Sequence, residues 1–386
     1  MNIAQTTGVP RSRVSRMVAW IALLTLAFPS LFLFQVNERF VYAHYFAVAL
    51  AIPVLMVLRP VLQMPVLISI GLIISSSLIN ANDFVLTVAV FHLLHLLAIA
   101  LLAGTAVDAV LRFAKITVIA YSIAIMMAWF MQLVGLGSLV SGLLVIKPDA
   151  IGDARVAAFA TEPSYAGLIL LILSRFIILA DISWMTPSRM AMVCSALILS
   201  LSLYSGISAF LLMLIYLHRT HNLRAIIGAF VAGTILIVGI NMMDFFADRL
   251  SAFDSSMGLL GYGSASIRLL PYIQLWDMLS DDPLTLMFGS GAGTFEPYFF
   301  WNLGQYYTDN EALTPHMAAA IYDYGLPAII PFFFWCRPRG GLNRALYIAM
   351  AVIVMLNTGI GSYLFILFGT FSLIEQKLRN HGQIAA

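Results

Sequence analysis

The chain has 386 residues, 61% of them hydrophobic and only 10% charged, with a net charge of +2 and a mean hydropathy of +0.95. Soluble domains carry about a quarter charged residues, so a water-soluble globular enzyme is excluded, and 26 Phe, 15 Tyr and 6 Trp exclude a disordered or collagen-like chain. The near balance of charge leaves no nucleic-acid footprint. Cys194 and Cys336 lie far apart, which supports neither a disulfide framework nor a zinc site. The composition predicts an all-α polytopic membrane protein, a single integral membrane domain over 1–386.

A helix needs about 20 apolar residues to cross about 30 Å of hydrocarbon. The first such run, 17–34, follows Arg11, Arg13 and Arg16 and has no small-residue cleavage site before Gln35, so it reads as a retained signal anchor. Further runs lie near 41–58, 65–80, 84–105, 116–134, 164–180, 190–204, 206–218, 225–240, 316–335, 345–357 and 360–374. The expected total is about twelve spans. Tyr204-Ser205-Gly206 is a very short turn, and a single re-entrant hairpin competes with two spans over 190–218.

Orientation follows from the cations, which accumulate in cytoplasmic loops. With the N-terminus inside, alternate loops hold 15 of the 20 Lys and Arg residues, including Arg59, Arg112, Lys115, Arg175, Arg189, Arg219, Arg337 and Arg379. The other side holds Arg39, Lys147, Arg155, Arg249 and Arg268 together with 14 of the 18 acids. Both termini are therefore expected inside. Two outer loops are long: 135–163, and 241–315 between the ninth and tenth spans. In the second, Leu269, Leu270, Ile273 and Trp276 return at near-helical spacing within 267–278, so it is expected to form a helical cap on the membrane surface.

The large loop carries Arg249 and Arg268 against nine acids. Arg249 beside Asp248 reads as local neutralisation. Arg268 stands nine residues from its nearest acid and opens the amphipathic stretch, where a guanidinium fork can grip phosphate oxygens. Arg155 precedes Thr161-Glu162-Pro163-Ser164, a helix start with Pro in its first turn. Glu162 is either an acid at a positive helix end or a carboxylate that takes a proton from an incoming hydroxyl. His316 follows Thr314-Pro315 at the start of the tenth span. It is a wet-boundary histidine, or a neutral imidazole able to act as donor or base. His92 and His95, inside the fourth span, read as packed or paired polar residues. Asp323, an intramembrane carboxylate that should face a cavity, is a secondary candidate with Tyr322 and Gly291. Gly289-Ser290-Gly291-Ala292-Gly293 is either a plain turn or a backbone nest for an anion; no Lys-Ser/Thr follows, so it is no nucleotide P-loop. The aromatics Tyr298 to Trp301, Tyr306 and Tyr307 suit an interfacial belt or sugar stacking equally.

The order of these segments resembles the superfamily of O-antigen polymerases (Wzy-type) and O-antigen ligases. An arginine ahead of Glu162-Pro163-Ser164 is followed by Arg268-Leu-Leu-Pro-Tyr-Ile-Gln-Leu-Trp276, the glycine segment 289–293, and His316-Met-Ala-Ala-Ala-Ile-Tyr-Asp-Tyr-Gly325. The resemblance covers roughly 150–335. It implies a GT-C-like helical fold in a bacterial inner membrane, without cofactor or metal, with the large loop in the periplasm. The implied activity transfers glycan from an undecaprenyl-diphosphate-linked oligosaccharide donor to the next repeat unit on the same carrier. The implied partners are those lipid-linked donor and acceptor glycans, membrane lipid, a chain-length regulator and a flippase. Arg155 and Arg268 would hold the diphosphate, and His316 or Glu162 would orient or deprotonate the acceptor hydroxyl. Glu-Pro-Ser looks more like polymerases than ligases, and Asp323-Tyr324-Gly325 departs slightly from the usual pattern. A ligase acting on a lipid A-core acceptor is the alternative. A transporter or flippase is the non-enzyme reading, but major-facilitator transporters place their long loop inside, and 59–65 lacks their Gly-x-x-x-Asp-Arg pattern.

Overall fold

The computed structural model describes residues 13–30, 32–36, 39–43, 49, 52–53, 64–81, 85–141, 144–148, 154–160, 162–200, 202–220, 272, 275, 282–295, 317–331, 341–358 and 362–380. The expected spans 41–58 and 225–240 lie largely or wholly outside these residues, as does most of the large loop.

Among the described residues the chain is mostly helical. Helix α1 (Arg13–Ala27) ends earlier than the apolar run 17–34, because Pro29 has no N–H to continue the helix and holds the residue before it out of the helical region. The run goes on instead as a hairpin, β1 (Phe32–Val36) and β2 (Arg39–Tyr42), antiparallel with Val36 opposite Arg39. Helices α2 (Met64–Ile79), α3 (Leu86–Ala103) and α4 (Val107–Leu133) follow. The 27 residues of α4 span about 40 Å and take Arg112 and Lys115, expected in a loop, into the helix. After the short α5 (Gly137–Val140) come the antiparallel strands β3 (Val145–Pro148) and β4 (Ala154–Ala158), with Lys147 opposite Arg155.

Helices α6 (Pro163–Ala180), α7 (Pro187–Leu199) and α8 (Leu203–Thr220) cover the next three apolar runs. Over 190–218, where one hairpin competed with two spans, the chain forms two helices packed on each other. Later come α9 (Pro283–Phe288), α10 (Met317–Tyr324), a 3-10 turn (Leu326–Ile329), α11 (Gly341–Asn357) and α12 (Tyr363–Asn380). The run 316–335 is therefore broken. Gly325 has φ +82, Pro327 follows two residues later, and a Cβ on Gly325 would lie 2.5 Å from the backbone carbonyl of Met287.

Helices α3, α4 and α6 are long and apolar enough to cross a membrane by length and composition. Helix α6 is apolar on every side and buried from Pro163 to Leu179, as an all-round hydrophobic helix must be. By contrast α4 exposes Ile116, Ile123, Met127 and Phe130 along one side, a stripe too large for water and suited to lipid. Each of the pairs α2–α3, α3–α12, α12–α6, α6–α8, α8–α11, α11–α10 and α10–α2 is in contact, so seven helices form a closed circuit, and α4 packs outside α6. The approach of α6 to α8 rests on small residues: a Cβ on Gly167 would come within 2.3 Å of the Ser205 hydroxyl.

Helices α6 and α12 run parallel. Tyr165 and Tyr363 meet at their first turns with ring centroids 6.0 Å apart, and Phe176 meets Phe371 at 5.0 Å towards the other end. At that second end Glu375, 1% exposed, accepts from Arg175 (2.6 Å) and the Tyr347 hydroxyl (2.6 Å) on one oxygen, and from Arg379 (3.0 and 2.6 Å) on the other. The Arg175 guanidinium also lies over the Tyr347 ring at 3.6 Å. Nearby in the chain, Lys115 of α4 pairs with Asp181 just beyond α6 at 2.6 Å.

Candidate functional site

Helix α9 starts at an N-cap, Asp282, whose carboxylate accepts from the Leu284 N–H (2.9 Å) and the Thr285 hydroxyl (2.6 Å). The Thr285 hydroxyl, and then the Leu284 N–H, hold this carboxyl below its ordinary range. The glycine segment follows directly. Gly289, Gly291 and Gly293 have φ of +71, +104 and +79, conformations that side-chain-bearing residues avoid. Such a backbone turns N–H groups towards an acceptor, and two N–H groups of 289–295 do meet a carboxyl group. It is the chain's own Asp323, which takes the Gly293 N–H on Oδ2 at 2.9 Å and the Phe295 N–H on Oδ1 at 3.1 Å.

The same contact is stitched along the backbone. Ser290 N–H donates to the Tyr322 carbonyl (2.8 Å) and Gly291 N–H to the Asp323 carbonyl (3.1 Å). From α2, the Ser76 hydroxyl donates to the Asp323 carbonyl (2.7 Å) and the Asn80 amide to the Gly289 carbonyl (3.1 Å). Val85, at the start of α3, donates its N–H to the Ala292 carbonyl at 2.7 Å. No side chain fits at Gly289, where a Cβ would lie 2.4 Å from the Asp323 carbonyl. The candidates Tyr322, Asp323 and Gly291 are thus brought together, and Asp323, expected to face a cavity, binds backbone instead. His92 and His95 are paired polar groups: the His92 ring nitrogen bonds the Tyr324 hydroxyl, and His95 Nδ1 bonds the Phe91 carbonyl at 2.8 Å.

Glu162 and Arg155 belong to another part of the circuit. Strand β4 carries Arg155 and packs on both α4 and α6, while Glu162 is the N-cap of α6 with Pro163 at the first helical position. The Glu162 carbonyl accepts from Tyr165 and Ala166, both at 3.1 Å. Its side chain, however, makes no capping bond to the first turn. One carboxylate oxygen accepts from the Ser164 hydroxyl at 3.2 Å, and the residue is half-buried. Between Arg155 and Glu162, Ala158 has a left-handed backbone, φ +51, and is fully buried. Ser30 N–H donates to the Phe159 carbonyl (3.2 Å), which ties this return to the end of α1.

His316 and Arg268 lie outside the described residues; His316 immediately precedes Met317, the fully buried first residue of α10. Helix α10 packs on α2, α9 and α11, whereas α6 packs on α4, α7, α8, α12 and β4. No family model matches the chain, and no curated protein or solved structure matches it.

Sequence reasoning missed Ser76 and Asn80. Their signal was present: two polar residues four apart, at and just beyond the end of a largely apolar helix. Among the described residues no three His, Cys, Asp or Glu side chains gather as a metal site would require.

Proposed function

We propose that this protein is a polysaccharide polymerase of the bacterial inner membrane, which transfers polyprenyl-diphosphate-linked glycan onto the next repeat unit at the periplasmic face. The observation that carries the reading is the ordered motif set from Arg155 to Gly325, two parts of which also meet in space at the 289–295 and 322–325 contact. The charges at the ends of α6 support the orientation. Its last turns adjoin Lys115, Arg175, Arg379 and their acids, and its first turn adjoins Glu162 and the hairpin bearing Arg155. The cation-rich end belongs in the cytoplasm, which leaves Glu162 at the periplasmic face, where a lipid-borne diphosphate would arrive.

In this reading Arg155 and Arg268 receive the diphosphate and stabilise the charge that grows as the sugar–phosphate bond breaks. His316 or Glu162 removes the proton from the attacking hydroxyl. Diphosphate-carrier lipid leaves as the growing chain moves to the incoming unit. The test is deletion of the encoding gene, with gel profiling of surface glycan and mass analysis of carrier-linked lipid. Single repeat units outside, transferred or still on the carrier, are expected. Long chains stranded on the carrier would make the protein a ligase, and single units retained on the cytoplasmic face would make it a flippase.

A further inference from the structure

The structure assigns Asp323 a positioning role: its carboxyl group, seated on the N–H groups of Gly293 and Phe295, fixes the glycine segment 289–295 against α10, the helix that His316 immediately precedes in sequence. This assignment rests on the polymerase reading for the reaction it serves, but its geometry stands apart from that reading. Asp323 is 4% exposed and uses both carboxyl oxygens on backbone N–H groups at 2.9 and 3.1 Å. Its carbonyl is used twice more, by Gly291 N–H (3.1 Å) and the Ser76 hydroxyl (2.7 Å).

A carboxylate here does something an apolar residue cannot. The left-handed glycines turn N–H groups inward, where each would lose its hydrogen bonds to water, and a buried unpaired donor is costly. A single side chain with two acceptor oxygens satisfies a pair of them and sets their spacing. Asparagine has the same shape, but one acceptor becomes an NH₂ donor that faces an N–H. The backbone bonds from Ser290 and Gly291 remain, but the far part of the segment, at 293–295, loses one of its two side-chain anchors. The chemistry requires reacting groups placed within a fraction of an ångström of their working positions, and a shift of about 1 Å costs about a hundredfold in rate. Asp323 touches backbone of its own chain, so it acts through the segment it holds.

The experiment uses the full chain in lipid nanodiscs, supplied with carrier-linked repeat units extracted from the deletion strain. Asp323→Asn is compared with wild type for turnover, for KM, and for hydrogen–deuterium exchange over 289–295. Ser76→Ala, a milder change that removes one bond to the Asp323 carbonyl, serves as the second variant should Asp323→Asn fail to fold. The expected result is faster exchange at 289–295 and a turnover lowered about tenfold or more, with KM within about twofold of wild type because binding is left intact. Ser76→Ala should move exchange and turnover the same way by less. Unchanged exchange in both variants overturns the contact. Faster exchange with wild-type turnover, or a loss confined to KM, overturns the positioning role. A wild-type protein that polymerises nothing overturns the polymerase reading and the role with it, whereas an active wild type beside an equally active Asp323→Asn overturns the role alone.

Discussion

Asp323 is held on both oxygens by backbone N–H groups, whereas Glu162 accepts from the Ser164 hydroxyl and leaves the first turn of its own helix uncapped by its side chain. The bland reading of Glu162, an acid that caps α6, loses its strongest form, since an N-cap contributes chiefly by bonding first-turn N–H groups. A negative charge at a positive helix end contributes about 0.3–1 kcal/mol. Glu162→Gln should lower polymer formation by about a hundredfold or more. Turnover retained by Glu162→Gln would assign the acceptor proton to His316. Arg268→Ala is expected to cost about a hundredfold in rate as well, because a lost contact to developing phosphate charge is a transition-state loss. Equal turnover in Arg268→Ala, measured on extracted lipid-linked units, would remove that arginine from the diphosphate site.

At the scale of elements, the parallel pair α6 and α12 is locked at one end by Glu375 between Arg175 and Arg379, with Arg175 and Glu375 4% and 1% exposed. A buried pair is weak evidence of net stabilisation, yet removing one partner strands a charge in the interior. Glu375→Ala should cost about 3–5 kcal/mol, read as a lowered unfolding temperature in nanodiscs. Replacing Arg175 by Met and Glu375 by Leu together should recover much of that loss. Asp181, beyond the end of α6, gives a pH-dependent counterpart. Burial raises its pKa, but hydrogen bonds from Lys115 and Ser183 outweigh burial and hold it below its ordinary 3.8. A carboxylate with a depressed folded pKa contributes stability that is present above its unfolded value and lost as pH falls through the folded one. The difference in unfolding temperature between wild type and Lys115→Met should thus persist at neutral pH and close as pH drops below 3.8. A gap that stays constant into that range would show that the pair contributes nothing through ionisation.

At the scale of the molecule, the ends of α6 set a testable sidedness. Ser183 is exposed beside Asp181 at one end, and Ser138 is exposed on α5, beyond the far end of α4. With Cys194 and Cys336 replaced by serine, Ser138→Cys should react with a membrane-impermeant maleimide in intact cells, and Ser183→Cys only after the membrane is opened. The reverse pattern would invert the topology and move Glu162 to the cytoplasm.

Among the described residues hydropathy located α2, α3, α6, α7, α8, α11 and α12, though not α9 or the break within 316–335, because about 20 apolar residues in lipid have few ways to satisfy their backbone except as a helix. Helix α6, the segments α3 and α11, and the polar pairing of His92 were all legible in the residues. The early stop of α1 was legible too, in Pro29, had the proline outweighed the apolar run. Nothing local to Asp323 told that it would bind Gly293 and Phe295, some thirty positions earlier in the chain. A carboxylate and a glycine turn each read as a site, and only the packing of α10 on α2 and α9 showed that they satisfy one another. Composition and periodicity determine which stretches leave water. Which buried polar groups become partners is decided by tertiary packing, because each costs too much unpaired and takes whichever complementary group the fold brings within about 3 Å.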